Sequence, residues 1–278
     1  MADRRHSADH QVALEHRVTV NDRYGVLGWP VGHSRSPAMM RAAGLERYQR
    51  LPVAPEVFAD TVRALGAAGF RGANVTIPHK EAALTLASTA SDAAREIGAA
   101  NTLSFGADGS IHAENTDASG LLAALGRAPA SALVLGAGGS ARAVVWALTR
   151  AGADVSIWNR TPRRAEGIGA RVVAAPVAAE VLVNCTSVGL EHSSTPFKDL
   201  PLEADGLTEY ATVVDLVYRA GGTALIAEAE RRSIATVDGL EILACQGALS
   251  FTLWTGLAAP LDTMRMAARG CQPETNAS

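Results

Sequence analysis

The chain has 278 residues, of which 48% are hydrophobic and 19% charged, enough for a packed core and about two domains at ~150 residues each. This composition excludes a disordered chain, and a net charge of −3 supplies no electrostatic footprint for nucleic acid. The cysteines, Cys185, Cys245 and Cys271, are far apart and odd in number, which fits a reducing cytoplasm and gives neither a disulfide framework nor zinc spacing, so no metal is expected.

Met1 to His10 is polar and charged, and Arg4-Arg5 has no apolar run behind it, so no signal peptide is expected. Residues 1–21 are read as a flexible N-terminal tail. No apolar run is long enough to span a bilayer, so no membrane partner is expected. Of 25 basic residues, only Lys80 and Lys198 are lysine. Lysine can give up a proton and arginine cannot, so a retained lysine hints at proton chemistry. Lys198 reads as a residue of a surface loop.

Tyr24 to Gly28 reads as a strand that runs into Trp29-Pro30-Val31-Gly32-His33-Ser34-Arg35-Ser36-Pro37. The residue before a proline is pushed to an extended conformation, and in extended chain Ser34 and Ser36 face the same side. Two converging hydroxyls suit a carboxylate. On residue type alone, Ser36 as the cap of a helix starting at Pro37 is the preferred reading. Pro55 opens a helix with Phe58, Val62 and Leu65 on one face and Gly66 and Gly69 at its end. From Gly72 onward a strand ends near Thr76 and a helix starts near Pro78, with Lys80 in its first turn. A cation there faces the positive helix end, which favours loss of its proton and suits proton transfer. The plainer alternative is a solvated surface lysine. Ala99 to Leu103 enters a strand. Glu114 to Asp117 leaves one for a helix over 118–126, with Asp117 either an ionised group at the positive end or an ordinary cap.

Ala132-Leu133-Val134-Leu135 reads as a short buried strand. Gly136-Ala137-Gly138-Gly139-Ser140 then makes a tight turn, and Ala141, Val144, Val145 and Leu148 give the next helix one apolar face. Strand, glycine turn and helix in that order aim free backbone N–H groups and the positive helix end at the turn, a cradle for phosphate. Gly136, Gly138 and Ala141 match the dinucleotide fingerprint in its form ending in Ala. Asp154 to Trp158 is the next strand, ending at Asn159-Arg160-Thr161-Pro162-Arg163-Arg164. An NAD site places an acid about 20 residues after the glycines. Asn159 is 23 residues after Gly136, and no acid lies there. Arg160, Arg163 and Arg164 instead suit a 2′-phosphate, which selects NADP over NAD. Val181–Asn184 and Thr212–Asp215 read as further strands, with a turn over Cys185–Gly189. A helix over Gly221–Arg232, a strand over Ile234–Val237 and a long helix from Gly239 complete the chain, the last with Leu240, Leu243, Gly247, Phe251 and Trp254 at helical spacing.

Gly28-Trp29-Pro30-x-x-His33-Ser34-x-Ser36-Pro37, Asn74-Val75-Thr76-x-Pro78-x-Lys80, Ala100-Asn101-Thr102 and Asn115-Thr116-Asp117-x-x-Gly120 resemble, in order and spacing, the shikimate dehydrogenase family. The resemblance continues through Gly136–Ala141 and Asn159-Arg160-Thr161 and covers roughly residues 24–256. It implies an α/β fold of two domains. A Rossmann-type NADP-binding domain, 118–238, would be inserted into an α/β substrate domain of 22–117 plus 239–270, with the active site between them. It also implies a cytoplasmic enzyme, monomer or homodimer, that reduces 3-dehydroshikimate to shikimate with NADPH on the way to chorismate and the aromatic amino acids. Lys80 and Asp117 would be the catalytic pair. Ser34 and Ser36 would hold the substrate carboxylate, which overturns the capping preference. Thr76, Asn101, Asp117, Tyr218 and Gln246 would bind the substrate as well. Gly136, Ala137, Gly138, Gly139, Ser140, Asn159, Arg160, Thr161, Arg163 and Arg164 would bind the cofactor, with Leu216 and Gly239 beside the nicotinamide. Gln246 rests on the resemblance alone, since a glutamine in a helix is usually solvated. The family often has Met at position 216, a swap that keeps the bulk. Two alternatives are a quinate/shikimate dehydrogenase and a non-catalytic NADP(H)-binding sensor. A sensor would leave positions 80 and 117 free to drift, yet both residues are in place.

Overall fold

The computed structural model describes residues 21–190, 196–219 and 221–271. Most of the tail expected over 1–21 lies outside the described residues. The first sheet is built from β1 (Arg23–Gly28), β2 (Tyr48–Pro52), β3 (Phe70–Val75), β4 (Thr89–Ala90), β5 (Thr102–Phe105) and β6 (Ile111–Glu114). Their order is β2-β1-β3-β5-β6-β4. β1 pairs parallel with β2 and β3, and β5 pairs antiparallel with β3 and β6. Side chains alternate across the pleat, so β1 feeds two cores. Leu27 joins Val62, Ala73, Val75 and Leu103 on one face, and Tyr24 and Val26 join Met39, Tyr48 and Trp254 on the other. The helices beside this sheet are α1 (Ser36–Ala42), α2 (Phe58–Ala67), α3 (Lys80–Leu86) and α4 (Asp92–Ile97).

The second sheet is parallel throughout and comprises β7 (Ser131–Leu135), β8 (Asp154–Trp158), β9 (Arg171–Val172), β10 (Val181–Asn184), β11 (Thr212–Asp215) and β12 (Ala235–Val237). Its order is β12-β11-β10-β7-β8-β9. Parallel strands are covered on both faces, which is why β7 and β10 read as unbroken apolar runs. Val134 and Val183 pack on one side, and Leu133 and Leu182 on the other. Flanking helices are α5 (Thr116–Leu125), α6 (Gly139–Arg150), α7 (Pro196–Asp199) and α8 (Ala224–Arg231). The strand order reverses between β7 and β10, a point where open α/β sheets bind ligands at the strands' carboxyl ends.

Two more helices follow, α9 (Gly239–Thr255) and α10 (Leu261–Arg269). α9 joins the sheets: Ile242 packs in the core of the second, whereas Leu243, Phe251 and Trp254 pack in that of the first. Among the described residues no helix is long and apolar enough to cross a membrane.

Several element boundaries differ from the sequence reading. The helix expected from Gly221 begins at Ala224, because Gly221 and Gly222 hold φ of +82° and +79° and Thr223 caps the helix by accepting from the Ile226 N–H. α1 begins at Ser36, whose side chain caps nothing; the Ser34 hydroxyl accepts from the Ser36 N–H at 3.3 Å instead. α3 begins at Lys80 rather than near Pro78, since His79 is tied down outside the helix by a 2.7 Å bond to the Val53 carbonyl and a stacked contact with Phe58. Lys198 is exposed, as expected, but in the single turn of α7 rather than in a loop.

Candidate active site

The carboxyl ends of both sheets border one cleft of about 190 Å³. Lys80 enters it from the first residue of α3, and Asp117 from the first turn of α5, whose start is capped by the Asn115 side chain. The Lys80 Nζ donates to Asp117 Oδ2 at 2.5 Å and to Ser140 Oγ at 3.0 Å. The two side chains of the ion pair are only 11% and 17% exposed, so Lys80 is not the solvated lysine of the plainer reading. Asn101 Nδ2 donates to Asp117 Oδ1 at 2.8 Å and holds the carboxylate from its other oxygen.

A buried polar network backs this pair. Asn101 Oδ1 accepts from the Thr116 N–H at 2.7 Å, and Asn101 Nδ2 lies 3.1 Å from Gln246 Oε1. Gln246, on α9, is 7% exposed and donates to the Leu243 carbonyl, contrary to the solvation usual for a helical glutamine. Asn74 Nδ2 reaches Ser250 and Thr102, while its Oδ1 accepts from the Tyr48 hydroxyl at 2.8 Å. Polar groups this deep are tolerated because they satisfy one another.

Ser34 and Ser36 do converge: their hydroxyls are 3.2 Å apart, both are buried, and both line the cleft. Arg50, on β2, holds this turn by donating two bonds to the Ser34 carbonyl, at 2.6 and 3.0 Å. Tyr218 lines the same end. Burial raises the pKa of its phenol, and hydrogen bonding to the Arg35 backbone and the Ser34 hydroxyl works against that rise. Burial and the Arg50 charge lower the pKa of His33. Thr76, Asn101, Leu216 and Gly239 also line the cleft. A Cβ on Gly239 would lie 2.7 Å from the Leu216 carbonyl oxygen, so only glycine fits there.

Gly136, Ala137 and Gly138 form the turn between β7 and α6, Gly139 opens the helix, and the next residue, Ser140, lines the cleft. Gly136 has φ of +106°, and a Cβ on it would lie 3.1 Å from the Cys185 backbone. A Cβ on Gly138 would meet nothing within 4 Å, so the backbone there is open to a close ligand. Asn159 is fixed within its own turn by a 2.8 Å bond to the Thr161 carbonyl. Arg160, Arg163 and Arg164 are exposed and make no ion pair among the described residues. Three uncommitted guanidiniums beyond β8, with the open glycine turn beside them, fit a dinucleotide carrying an extra phosphate. Among the described residues no group of three His, Cys, Asp or Glu could hold a metal ion.

Sequence reading missed His33, Asn74, Cys185, Thr186 and Ser187 as lining residues. The signal for Thr186 and Ser187 was available, since they follow β10 at the switch point. Beneath them lies Asp215, which accepts bonds from Asn184 Nδ2, the Val217 N–H and the Thr223 hydroxyl. Burial, with Asp215 nearby, pushes the Cys185 thiol up and makes it a poor nucleophile. Burial pushes the Asp215 carboxyl up to about 6.

A stability prediction follows from that carboxyl. Unfolded, it releases its proton near pH 3.9, whereas the native state keeps it until about 6. The native state binds the extra proton between these values, so the stability linked to Asp215 is full below pH ~3.9 and is lost as pH rises through about 6. Between pH 4.5 and 7.5 the loss is about 2 kcal/mol. Denaturant titrations of wild type and Asp215→Asn should therefore diverge by that amount in the variant's favour across this range. Parallel curves would show that Asp215 titrates normally.

Comparison with known proteins identifies the relatives. The chain is 46% identical over 264 residues to the NADP(+) shikimate dehydrogenase of Paracoccus denitrificans, covering 86% of this chain and 92% of that one. The chain belongs to the shikimate dehydrogenase family. Family models match at residues 26–103, described as the shikimate dehydrogenase substrate binding domain, and at 239–269, described as the shikimate 5′-dehydrogenase C-terminal domain. Among solved structures, the shikimate 5-dehydrogenase of Thermus thermophilus, crystallised with NADP(H) and shikimate, superposes with a TM-score of 0.80 at 44% identity, covering 89% of this chain and 98% of that one. Shikimate dehydrogenase from Aquifex aeolicus gives 0.82 at 34% identity, covering 91% and 99%. The fold is that of the family, α/β with a Rossmann-type second sheet.

Proposed function

We propose that this chain catalyses the reversible NADPH-dependent reduction of 3-dehydroshikimate to shikimate, in the cytoplasm, as a monomer or homodimer. On this reading, residues 22–117 plus 239–270 form the substrate domain and 118–238 the NADP-binding domain inserted into it. The observation that carries the proposal is the ion pair of Lys80 and Asp117, 2.5 Å apart at the mouth of the dinucleotide turn. Identity above 40% with NADP(+)-dependent relatives over most of the chain supports the same reading.

Bound NADP(H) supplies or accepts the hydride at its nicotinamide. The chain's own residues manage the proton. An ammonium has three N–H donors, and Asp117 and Ser140 take two of those on Lys80. The third is left for the substrate oxygen, which becomes alkoxide-like as the ketone is reduced. Lys80 stabilises that charge and passes it a proton, taking one back when shikimate is oxidised. Asp117 orients the ammonium and accepts a hydrogen bond from the same oxygen once that oxygen is the hydroxyl of shikimate. Ser34, Ser36 and Tyr218 bind the carboxylate at one end of the ring, and Thr76, Asn101 and Gln246 bind its hydroxyls. Gly136 to Ser140 would cradle the pyrophosphate, Asn159, Arg160, Thr161, Arg163 and Arg164 would hold the adenosine 2′-phosphate, and Leu216 and Gly239 would border the nicotinamide.

The test is an absorbance assay of purified protein with shikimate or quinate, each with NADP or NAD. Turnover with shikimate and NADP is expected. Comparable turnover of quinate would make the chain a quinate/shikimate dehydrogenase, and no turnover in any pairing would leave an NADP(H)-binding sensor. Arg164→Ala should weaken NADP about 10- to 100-fold, the value of a charge-assisted hydrogen bond at about 1.5–3 kcal/mol, and leave NAD nearly unchanged. Equal weakening of both cofactors would remove Arg164 from 2′-phosphate recognition.

A further inference from the structure

The contact between Lys80 and Ser140 crosses from the first sheet's helix α3 to the dinucleotide turn of the second, between residues 60 apart in the chain. It is reinforced below the ammonium. The missing Cβ of Gly139 would lie 3.5 Å from both Cβ and Cδ of Lys80, so the stem of the lysine rests on the turn itself. Ser140 is the second residue of α6, a helix of twelve residues. Its hydroxyl holds one hydrogen and two lone pairs. The lone pairs take the Lys80 N–H, and the hydrogen has no acceptor among the described residues.

We propose that Ser140 is a positioning residue that couples cofactor occupancy to the catalytic lysine. The inference rests on the reading of this cleft as a shikimate and NADP(H) site. Ser140 lies in the first turn of α6, the helix end where an anionic oxygen of the cofactor would be favoured, and its hydroxyl can rotate to donate the free hydrogen to that oxygen. Donating to that oxygen makes the hydroxyl a stronger acceptor, because hydrogen bonds in a chain polarise one another. The bond from Lys80 then tightens, and the third N–H of the ammonium is held toward the substrate. Cofactor binding thereby prepares the substrate site, and by linkage substrate tightens the cofactor by the same factor. An alanine at this position would still bind pyrophosphate through backbone N–H groups but would lose the link.

The test measures binding rather than turnover. Shikimate is titrated into the apo protein and into protein saturated with NADPH, a pair that cannot react, with calorimetry or nicotinamide fluorescence as the readout. For wild type, NADPH should tighten shikimate about three- to tenfold, the range of one hydrogen bond. Ser140→Ala should bring the ratio close to one, and Ser140→Thr, which keeps a hydroxyl, should restore most of it. The same wild-type ratio in Ser140→Ala, or none in wild type, would overturn the coupling. Wild type that binds no shikimate with or without NADPH would instead overturn the assignment of the site.

Discussion

Lys80→Ala is expected to lower kcat for shikimate oxidation by about 10²- to 10⁴-fold, the contribution of a positioned general acid–base group. NADP affinity should fall far less than kcat, because the backbone of the glycine turn and the arginines after β8 stay in place and the turn loses only its contacts with the Lys80 side chain. The variant also leaves the Asp117 carboxylate with Asn101 as its remaining partner, and a largely buried charge stripped of its counterion is destabilising. A melting curve should accompany the kinetics for that reason. Lys80→Arg separates charge from proton transfer. Arginine keeps the cation but holds its proton, so a variant that needs only a positive charge would recover activity, and one that needs a titrating group would not. We expect no recovery. The double variant Lys80→Ala with Asp117→Ala should be scarcely slower than either single change, since groups that act as one unit lose their effect together. Turnover of Lys80→Ala close to wild type would put the proton transfer elsewhere.

The second sheet was legible where burial on both faces leaves a continuous apolar run. β8, β10 and β11 begin and end where the sequence reading set them. The glycine turn was legible because positive φ and a close backbone approach leave few choices but glycine, as at Gly136. Helix starts were harder. Gly221 and Gly222 continue no helix: a Gly-Gly pair marks a turn and Thr223 is a favoured cap, local signals that an expected start at Gly221 passes over. The site was legible mainly through family resemblance. Lys80 and Asp117 are 37 residues apart, and their pairing depends on how α3 and α5 meet. Taken singly, Ser36 reads as a cap and Gln246 as a solvated polar residue. Each is buried because elements distant in the chain close over it, and period and propensity carry no record of that. Arg50 shows the limit most plainly. On β2 it is one of many arginines in the sequence, and only the fold brings its guanidinium onto the Ser34 carbonyl.

Gly120→Ala is the other change expected to matter most, because it strikes the fold and the site together. Gly120 lies on α5 against α9, and a Cβ there would be 2.7 Å from Gln246 Cβ, 2.8 Å from its backbone N and 2.9 Å from its Cα. All three atoms belong to the root of a helical residue, so no rotamer change relieves the clash and the two helices must move apart. Overpacking of this kind costs about 1–3 kcal/mol. The displacement also draws Gln246 Oε1 away from Asn101 Nδ2 and the Thr116 hydroxyl, loosening the network that holds Asp117. The expected result is a melting temperature lower by several degrees and a kcat/KM for shikimate reduced at least about tenfold, as a 1.4 kcal/mol change gives, with NADP affinity preserved. Gly66→Ala is the control. Gly66 is also inside a helix, but its Cβ would meet only Phe105 Cβ at 3.7 Å, an ordinary contact. Helix propensity alone should then stabilise that variant by up to about 1 kcal/mol. If Gly120→Ala behaved like Gly66→Ala, close packing of α5 on α9 would not be what holds Gln246 and Asp117 in register.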